Sequence, residues 1–118
     1  MWVDLAAELT KAFAFSASFS AGTRAIGRNY ILLVTVEALE ESRERLFEEC
    51  VQKELISRVH SRDLTSQVDF LKGVEMTDAS LLAAFWKRLA SPLADYRPKR
   101  FALQRDTKTV TTLYAHSL

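Results

Sequence analysis

The stretch that decides the fold runs from residue 7 to residue 20, Ala7-Glu8-Leu9-Thr10-Lys11-Ala12-Phe13-Ala14-Phe15-Ser16-Ala17-Ser18-Phe19-Ser20. Its odd positions carry Leu9, Phe13, Phe15, Ala17 and Phe19, whereas its even positions are mostly Ala and Ser. A period of two describes a strand with one aromatic face and one small-residue face. Working outward, Gly22, Thr23 and Gly27 mark a short turn. A second strand follows over about 28–38, where Ile31, Leu32, Leu33, Val34 and Val36 are rich in β-branched types. Its two apolar faces imply cover on both sides. So short a connection makes the two strands an antiparallel pair.

The period then changes. From Glu40 to about Ser57 the apolar residues Leu46, Phe47, Cys50, Val51 and Leu55 recur at three and four, with charges between them. That is an amphipathic helix with one buried stripe. Residues 58–76 show no strong period and read as a long loop. A second helix starts near Thr77 or Asp78, either of which caps free amides. It buries Leu81, Leu82, Phe85, Trp86 and Leu89. Pro92 and Pro98 bracket an exit that cannot stay helical. The last strands are read at about 100–105 and 110–115, joined by the turn Asp106-Thr107-Lys108-Thr109.

The order ββααββ differs from the βαββαβ order of a ferredoxin-like domain. It predicts an α+β domain: a four-stranded antiparallel sheet with two helices on one face. The opposite face keeps apolar residues from the first two strands, which predicts self-association.

Composition sets outer bounds. The chain has 118 residues, 48% hydrophobic and 26% charged, enough to bury about two-thirds of its unfolded surface in a single domain spanning 1–118. A lone Cys50 leaves no intrachain disulfide and no Cys-rich zinc module. No apolar run approaches the ~20 residues of a membrane span. Met1-Trp2-Val3-Asp4 does not read as a secretion signal, so the expected location is cytoplasmic. A formal net charge of +1 is too small for broad attraction to nucleic acid or anionic lipid. Acids nevertheless concentrate in 37–54 (Glu37, Glu40, Glu41, Glu44, Glu48, Glu49, Glu54) and bases in 87–108 (Lys87, Arg88, Arg97, Lys99, Arg100, Arg105, Lys108). These are read as two solvated faces; the sharper reading has neighbouring subunits attract, or the basic segment receive a phosphate.

Several short motifs then share one source. Phe15-Ser16-Ala17-Ser18-Phe19, followed by Gly27-Arg28-Asn29-Tyr30 and Val34-Thr35-Val36, resembles the opening hairpin of the 6-pyruvoyl-tetrahydropterin synthase and 6-carboxy-tetrahydropterin synthase family. Val59-His60-Ser61-Arg62-Asp63-Leu64 resembles that family's Leu-Asp-His-x-x-Leu-Asn turn. Met76-Thr77-Asp78-Ala79 resembles its Thr-x-Glu helix start, and Asp106-Thr107 before Tyr114 its C-terminal Glu-Thr. The similarity runs from Phe13 to Tyr114 in matching order and implies the T-fold, whose sheets join into a multimeric β-barrel. A homo-oligomeric ring (trimer, hexamer or similar) and a pterin- or purine-like ligand are the implied partners.

The resemblance also implies where the family's chemistry fails. Three histidines hold zinc in those enzymes; the matching positions are Phe19, Ile26 and Arg28. Zinc takes imidazole, thiolate or carboxylate donors. A guanidinium ~4 Å from a dication costs on the order of 8 kcal/mol at an effective dielectric of about 20. No metal or other cofactor is therefore expected. The family's cysteine nucleophile is matched by Gly22 in one branch and has no counterpart for the other, while Cys50 belongs to a helical stripe. The Asp that orients the family's catalytic histidine is Val59, leaving His60 as a weak catalytic candidate. The pterin-gripping carboxylates match Ala79 and Asp106, with Asp78 one residue from the former. Arg28, Arg97, Lys99 and Arg100 are candidates for a ligand phosphate.

The leading expectation is a degenerate, zinc-free, non-catalytic member acting as an oligomeric scaffold or binding protein, with Asp106, Asp78 and Arg28 as its ligand-binding residues. The alternative is a lyase acting on a reduced pterin through a metal-independent site built on His60 and Asp106. An adaptor using the basic C-terminal third ranks last, because the sequence lacks the interleaved aromatic and basic residues of a nucleic-acid platform.

Overall fold

The structure is a computed structural model that describes residues 7–106 and 109–115. Met1 to Asp4, and Thr107 and Lys108 of the expected last turn, lie outside the described residues. Strand β1 (Glu8–Ala21) and strand β2 (Arg24–Glu37) form one antiparallel hairpin, paired without interruption from Glu8↔Glu37 to Ala21↔Arg24. The turn is Gly22-Thr23 alone, and Gly22 sits at φ 66°, a conformation in which its missing Cβ removes the steric cost. Gly27 is not part of the turn, as the sequence suggested, but lies inside β2 opposite Ser18. The second strand accordingly starts at Arg24, four residues before the expected start near 28.

After the hairpin, α1 (Glu41–Val51) runs on through a π-helical turn (Gln52–Ile56) into α2 (Ser57–Val59). The wide turn is where Leu55 and Ile56, neighbours in sequence, are both buried. Helix α3 (Asp78–Ala90) is capped by Thr77, whose Oγ1 accepts from the Ser80 amide at 3.1 Å. Strands β3 (Pro98–Arg105) and β4 (Thr109–Tyr114) complete a four-stranded antiparallel sheet in the order β1-β2-β3-β4. The intervening 60–76 is not a uniform loop. It bridges β1 in parallel at Ser18↔Asp63 and contains one 3-10 turn at Asp69–Leu71.

Strand alternation decides what is core. Phe13 and Phe15 of β1, Leu32, Val34 and Val36 of β2, and Phe101 and Leu103 of β3 all point to the helices and are at most 3% exposed. They meet Phe47, Val51 and Leu55 of the first helical run and Leu82, Phe85 and Leu89 of α3. Phe13 packs edge-on to Phe47 (6.3 Å), and Phe15 to Phe85 (6.0 Å). Each such pair adds about 0.5–1.5 kcal/mol to the burial of its rings. Leu46, counted in the buried stripe from its spacing, is instead 56% exposed. It occupies the shoulder of the helix, where an isolated surface leucine is ordinary.

The opposite face of the sheet presents Ala12, Ala14, Ile31, Leu33, Ala102, Val110 and Tyr114, and no described helix covers it. The expectation that β2 is covered on both sides therefore fails within one chain. Ile31 and Leu33 are only half-buried, and Val110 and Tyr114 are 58% and 45% exposed. Among the described residues no helix is long and apolar enough to cross a membrane.

Candidate functional site at the hairpin tip

Fourteen-residue strands reach about 45 Å, so the far end of the hairpin projects past the helices, and the molecule measures 61 × 24 × 24 Å. At this end the register sets Phe19 directly opposite Ile26, and alternation places Arg28 on the same face. The Arg28 guanidinium carbon lies 4.6 Å from the centroid of the Phe19 ring. A cation–π contact at so open a position contributes about 0.5–1 kcal/mol. Phe19, Ile26 and Arg28 thus meet on one face, and the charged group among them is a cation. Among the described residues no group of three or more His, Cys, Asp or Glu side chains is placed to hold a metal ion.

His60 lies just beyond the free edge of β1. Its amide closes the helical run on Ile56 O at 2.9 Å, and its ring Nδ1 accepts from the Ser16 amide at 3.1 Å. With Nδ1 accepting, the neutral ring carries its proton on Nε2. Val59, beside it, is fully buried in the core. Asp106 stands at the end of β3 with φ 49°. Its Oδ1 accepts from the Asn29 amide at 3.1 Å, and its own amide donates to Asn29 O at 2.9 Å. Ser16 Oγ donates to Asn29 Oδ1 at 2.7 Å and joins the two. His60, Ser16, Asn29 and Asp106 form one row across the sheet. By strand spacing, the ends of that row are on the order of 14 Å apart.

Asp78 is the first residue of α3 and faces the sheet end. Arg105 Nε donates to its Oδ2 at 3.0 Å, while Oδ1 is buried and has no partner among the described residues. The Tyr30 hydroxyl close to this pair is also buried, with the Arg28 side chain beside it. Burial pushes the Tyr30 phenol above its ordinary value, opposed by the Arg28 cation. Ala79 is exposed. The basic segment is largely consumed by ion pairs: Arg97 and Lys99 reach Glu37 at 3.8 and 3.5 Å, and Arg100 reaches Glu8 at 3.0 Å. Of the four arginines and lysines considered for a phosphate, Arg28 alone has no carboxylate partner among the described residues. Cys50 is half-buried, with its thiol pushed up by burial and then by Glu54, which keeps it a weak nucleophile.

Sequence reasoning missed Asp63. Its Oδ1 accepts from the Thr65 and Ser66 amides at 2.8 and 3.3 Å, and its Oδ2 from Ser20 Oγ at 3.1 Å. The Thr65 amide in particular holds this carboxyl below its ordinary range. Around it, Ser61 N donates to Ser16 O, Ser18 N to Arg62 O and Leu64 N to Ser18 O, so segment 60–65 closes half of the β1 edge. The signal was an Asp followed by Thr two residues on, which is how an aspartate turns its own backbone. Arg105 with Asp78, and the buried Tyr30 hydroxyl, left no local signal at all.

No protein-family model matches the sequence, and no curated protein does. Among solved structures the chain is similar to the structure of Caenorhabditis elegans 6-pyruvoyl tetrahydropterin synthase. The two superpose with a TM-score of 0.74 over 92% of this chain and 94% of that one, at 15% sequence identity. The chain shares that synthase's fold. With the fold in common, the α+β architecture read from the sequence stands: two antiparallel hairpins in one sheet, helices on one side.

Proposed function

We propose that this chain is a 6-pyruvoyl-tetrahydropterin-synthase-like protein with a degenerate site, zinc-free and non-catalytic, that serves as an oligomeric scaffold or binding protein. The supporting observation is the content of the hairpin tip. Where the family's three zinc histidines are expected, a phenyl ring, a sec-butyl group and a guanidinium converge, with Arg28 on Phe19 at 4.6 Å. None of the three donates a lone pair to zinc, and the guanidinium repels a dication. These residues do not fit the metal.

Assembly through the sheet is supported by the β1 edge, which is only partly paired among the described residues, and by an apolar face that no described helix covers. Segment 60–65 satisfies the β1 edge from Ser16 to Ser20; among the described residues the stretch from Glu8 to Ala14 has no strand on its outer side and is open to pair with β4 of another copy. Such pairing, repeated, closes a ring. It turns Ile31, Leu33 and Val110 away from water, which offsets the exposure seen in the single chain. A pterin- or purine-like ligand would fall to Asp78, Asp106 and Arg28. The buried Asp78 Oδ1, without a partner among the described residues, supports a polar ligand at the Asp78 end.

The lyase reading is less well supported. His60 and Asp106 sit at opposite ends of a row crossing two strands, each already accepting from a backbone amide. At a separation on the order of 14 Å they do not both reach the neighbouring atoms of one reacting centre.

Metal analysis joined to a turnover assay with dihydroneopterin triphosphate tests the proposal. Neither stoichiometric zinc nor product is expected; zinc with turnover would end it. Sedimentation should give a closed ring of three to six copies, whereas a strict monomer would contradict the scaffold. Pterin binding at 100 times its dissociation constant should stabilise the fold by about 2.7 kcal/mol, an effect reduced in Asp106→Ala.

A further inference from the structure

We propose that the chain carries a second site, an oxyanion pocket for a phosphorylated small molecule, built by Arg58, Arg62 and Gln67. A cavity of about 480 Å³ opens between the end of the helical run, the loop that follows it and α3. Three guanidiniums line it, those of Arg58, Arg62 and Arg88. Arg88 is already spent: its Nε donates to Glu54 O at 3.0 Å, its Nη2 lies 3.5 Å from the Glu54 carboxylate, and its carbon sits over the Phe70 ring. Arg58 and Arg62 are different. Among the described residues neither side chain has a hydrogen bond, an ion pair or a ring contact.

Two uncompensated guanidiniums on one concave surface concentrate positive potential there, and their planar forks match phosphate oxygens two at a time. Gln67 adds neutral donors. Its Oε1 accepts from the Asp63 amide at 2.8 Å, so its two amide hydrogens remain available. The backbone carrying these groups is pinned on both sides. Arg62 O accepts from Ser18 N, Arg62 N donates to Val59 O, and Gln67 N donates to Asp63 O. Little ordering of the loop is then needed when an anion arrives.

Charge and size select the ligand. One carboxylate, Asp69, lines the same wall, which leaves two free guanidiniums against one acid. That balance suits one phosphate group and is too small for a nucleic-acid track, which draws its affinity from many phosphates. The volume exceeds what an inorganic phosphate fills and lies in the range of small-molecule pockets. Phe70 and Val68 offer the organic part an apolar wall. The site uses neither Phe19, Ile26 nor Arg28, and stands whether or not the chain is a scaffold.

Calorimetric titration of the full chain with phenyl phosphate tests it, with pyrophosphate, benzyl alcohol and oligothymidylate as comparison probes. Phenyl phosphate should bind saturably, one per chain, and benzyl alcohol should not. Arg58→Gln and Arg62→Gln should each weaken binding about tenfold, the loss of one charge-assisted pair. Arg24→Gln, at the exposed hairpin turn, should leave it unchanged, and Asp69→Asn should tighten it. Melting temperatures of all four variants should match the parent, since these side chains are exposed. Absence of saturable binding by both phenyl phosphate and pyrophosphate would overturn the proposal, as would affinity indifferent to both arginines. Oligothymidylate binding that needs both arginines while phenyl phosphate fails to bind would replace it with a nucleic-acid surface.

Discussion

The two ends of the β1–β2 hairpin are built by the same alternation and the same unbroken register, yet they have opposite fates. At the base, Phe13, Phe15, Leu32 and Val34 are 0–3% exposed because two helical layers lie on them. At the tip, Phe19 and Ile26 continue the same apolar face beyond the helices, and Ile26 is 36% exposed. Position along the ladder, not side-chain type, decides whether an aromatic strand face becomes core. The difference teaches that the tip's residues are free of packing duty. What stands there answers to whatever the tip meets, and an arginine stacked on a phenyl ring is what stands there now.

The contrast is broken most strongly by truncating one ring at each end. Phe85→Ala, under the base, should cost about 3–5 kcal/mol by loss of burial and an unfilled cavity. Phe19→Ala, at the tip, should cost less than about 1 kcal/mol, the size of its cation–π contact. Urea denaturation of both proteins checks the pair; equal losses would mean that the tip is packed in the single chain. Next comes the polar seam between them. Arg105→Ala leaves the Asp78 carboxylate, whose side chain is 11% exposed, without its cation, and should destabilise by about 1–3 kcal/mol. Asp78→Ala in the same background should recover part of that loss, and the double-mutant cycle measures how much.

Smaller effects sharpen the picture. Thr77→Ala removes the cap of α3 and should cost about 1 kcal/mol, read from the same denaturation curves. Asp63 ties the 60–65 segment to the β1 edge near the tip, and its carboxyl is held below the ordinary value of 3.8, first by the Thr65 amide. The unfolded chain therefore binds the proton more readily than the folded one. The contribution is fully present above the unfolded value and is lost as pH falls through the folded one. Stability measured from pH 5 to pH 2 should fall less steeply in Asp63→Asn than in the parent.

The base of the hairpin was legible in sequence because period-two alternation survives in any strand with one buried face. Helix α3 was legible for the matching reason, with Leu81, Leu82, Phe85 and Leu89 at helical spacing. The tip was harder. Gly27 looked like turn punctuation, and only the pairing with Ser18 reveals it as a strand residue. Leu46 failed because spacing names a stripe but not its edge. Segment 60–65 failed because its order comes from a distant strand edge rather than from its own propensity. Of the candidate site, the meeting of Phe19, Ile26 and Arg28 was foreseen through likeness to a family. The use of His60 as an acceptor for Ser16, and the pairing of Arg105 with Asp78, rest on contacts 44 and 27 residues apart. No local pattern encodes those.

The proposed loss of the metal site rests on a hairpin tip that holds Phe19, Ile26 and Arg28. Anomalous diffraction at the zinc edge, from crystals grown with zinc present, tests it directly. No anomalous peak is expected within bonding distance of any atom beside Phe19, Ile26 and Arg28. A full-occupancy zinc peak at that point, ligated by side chains of this chain or of a neighbouring copy, would contradict it.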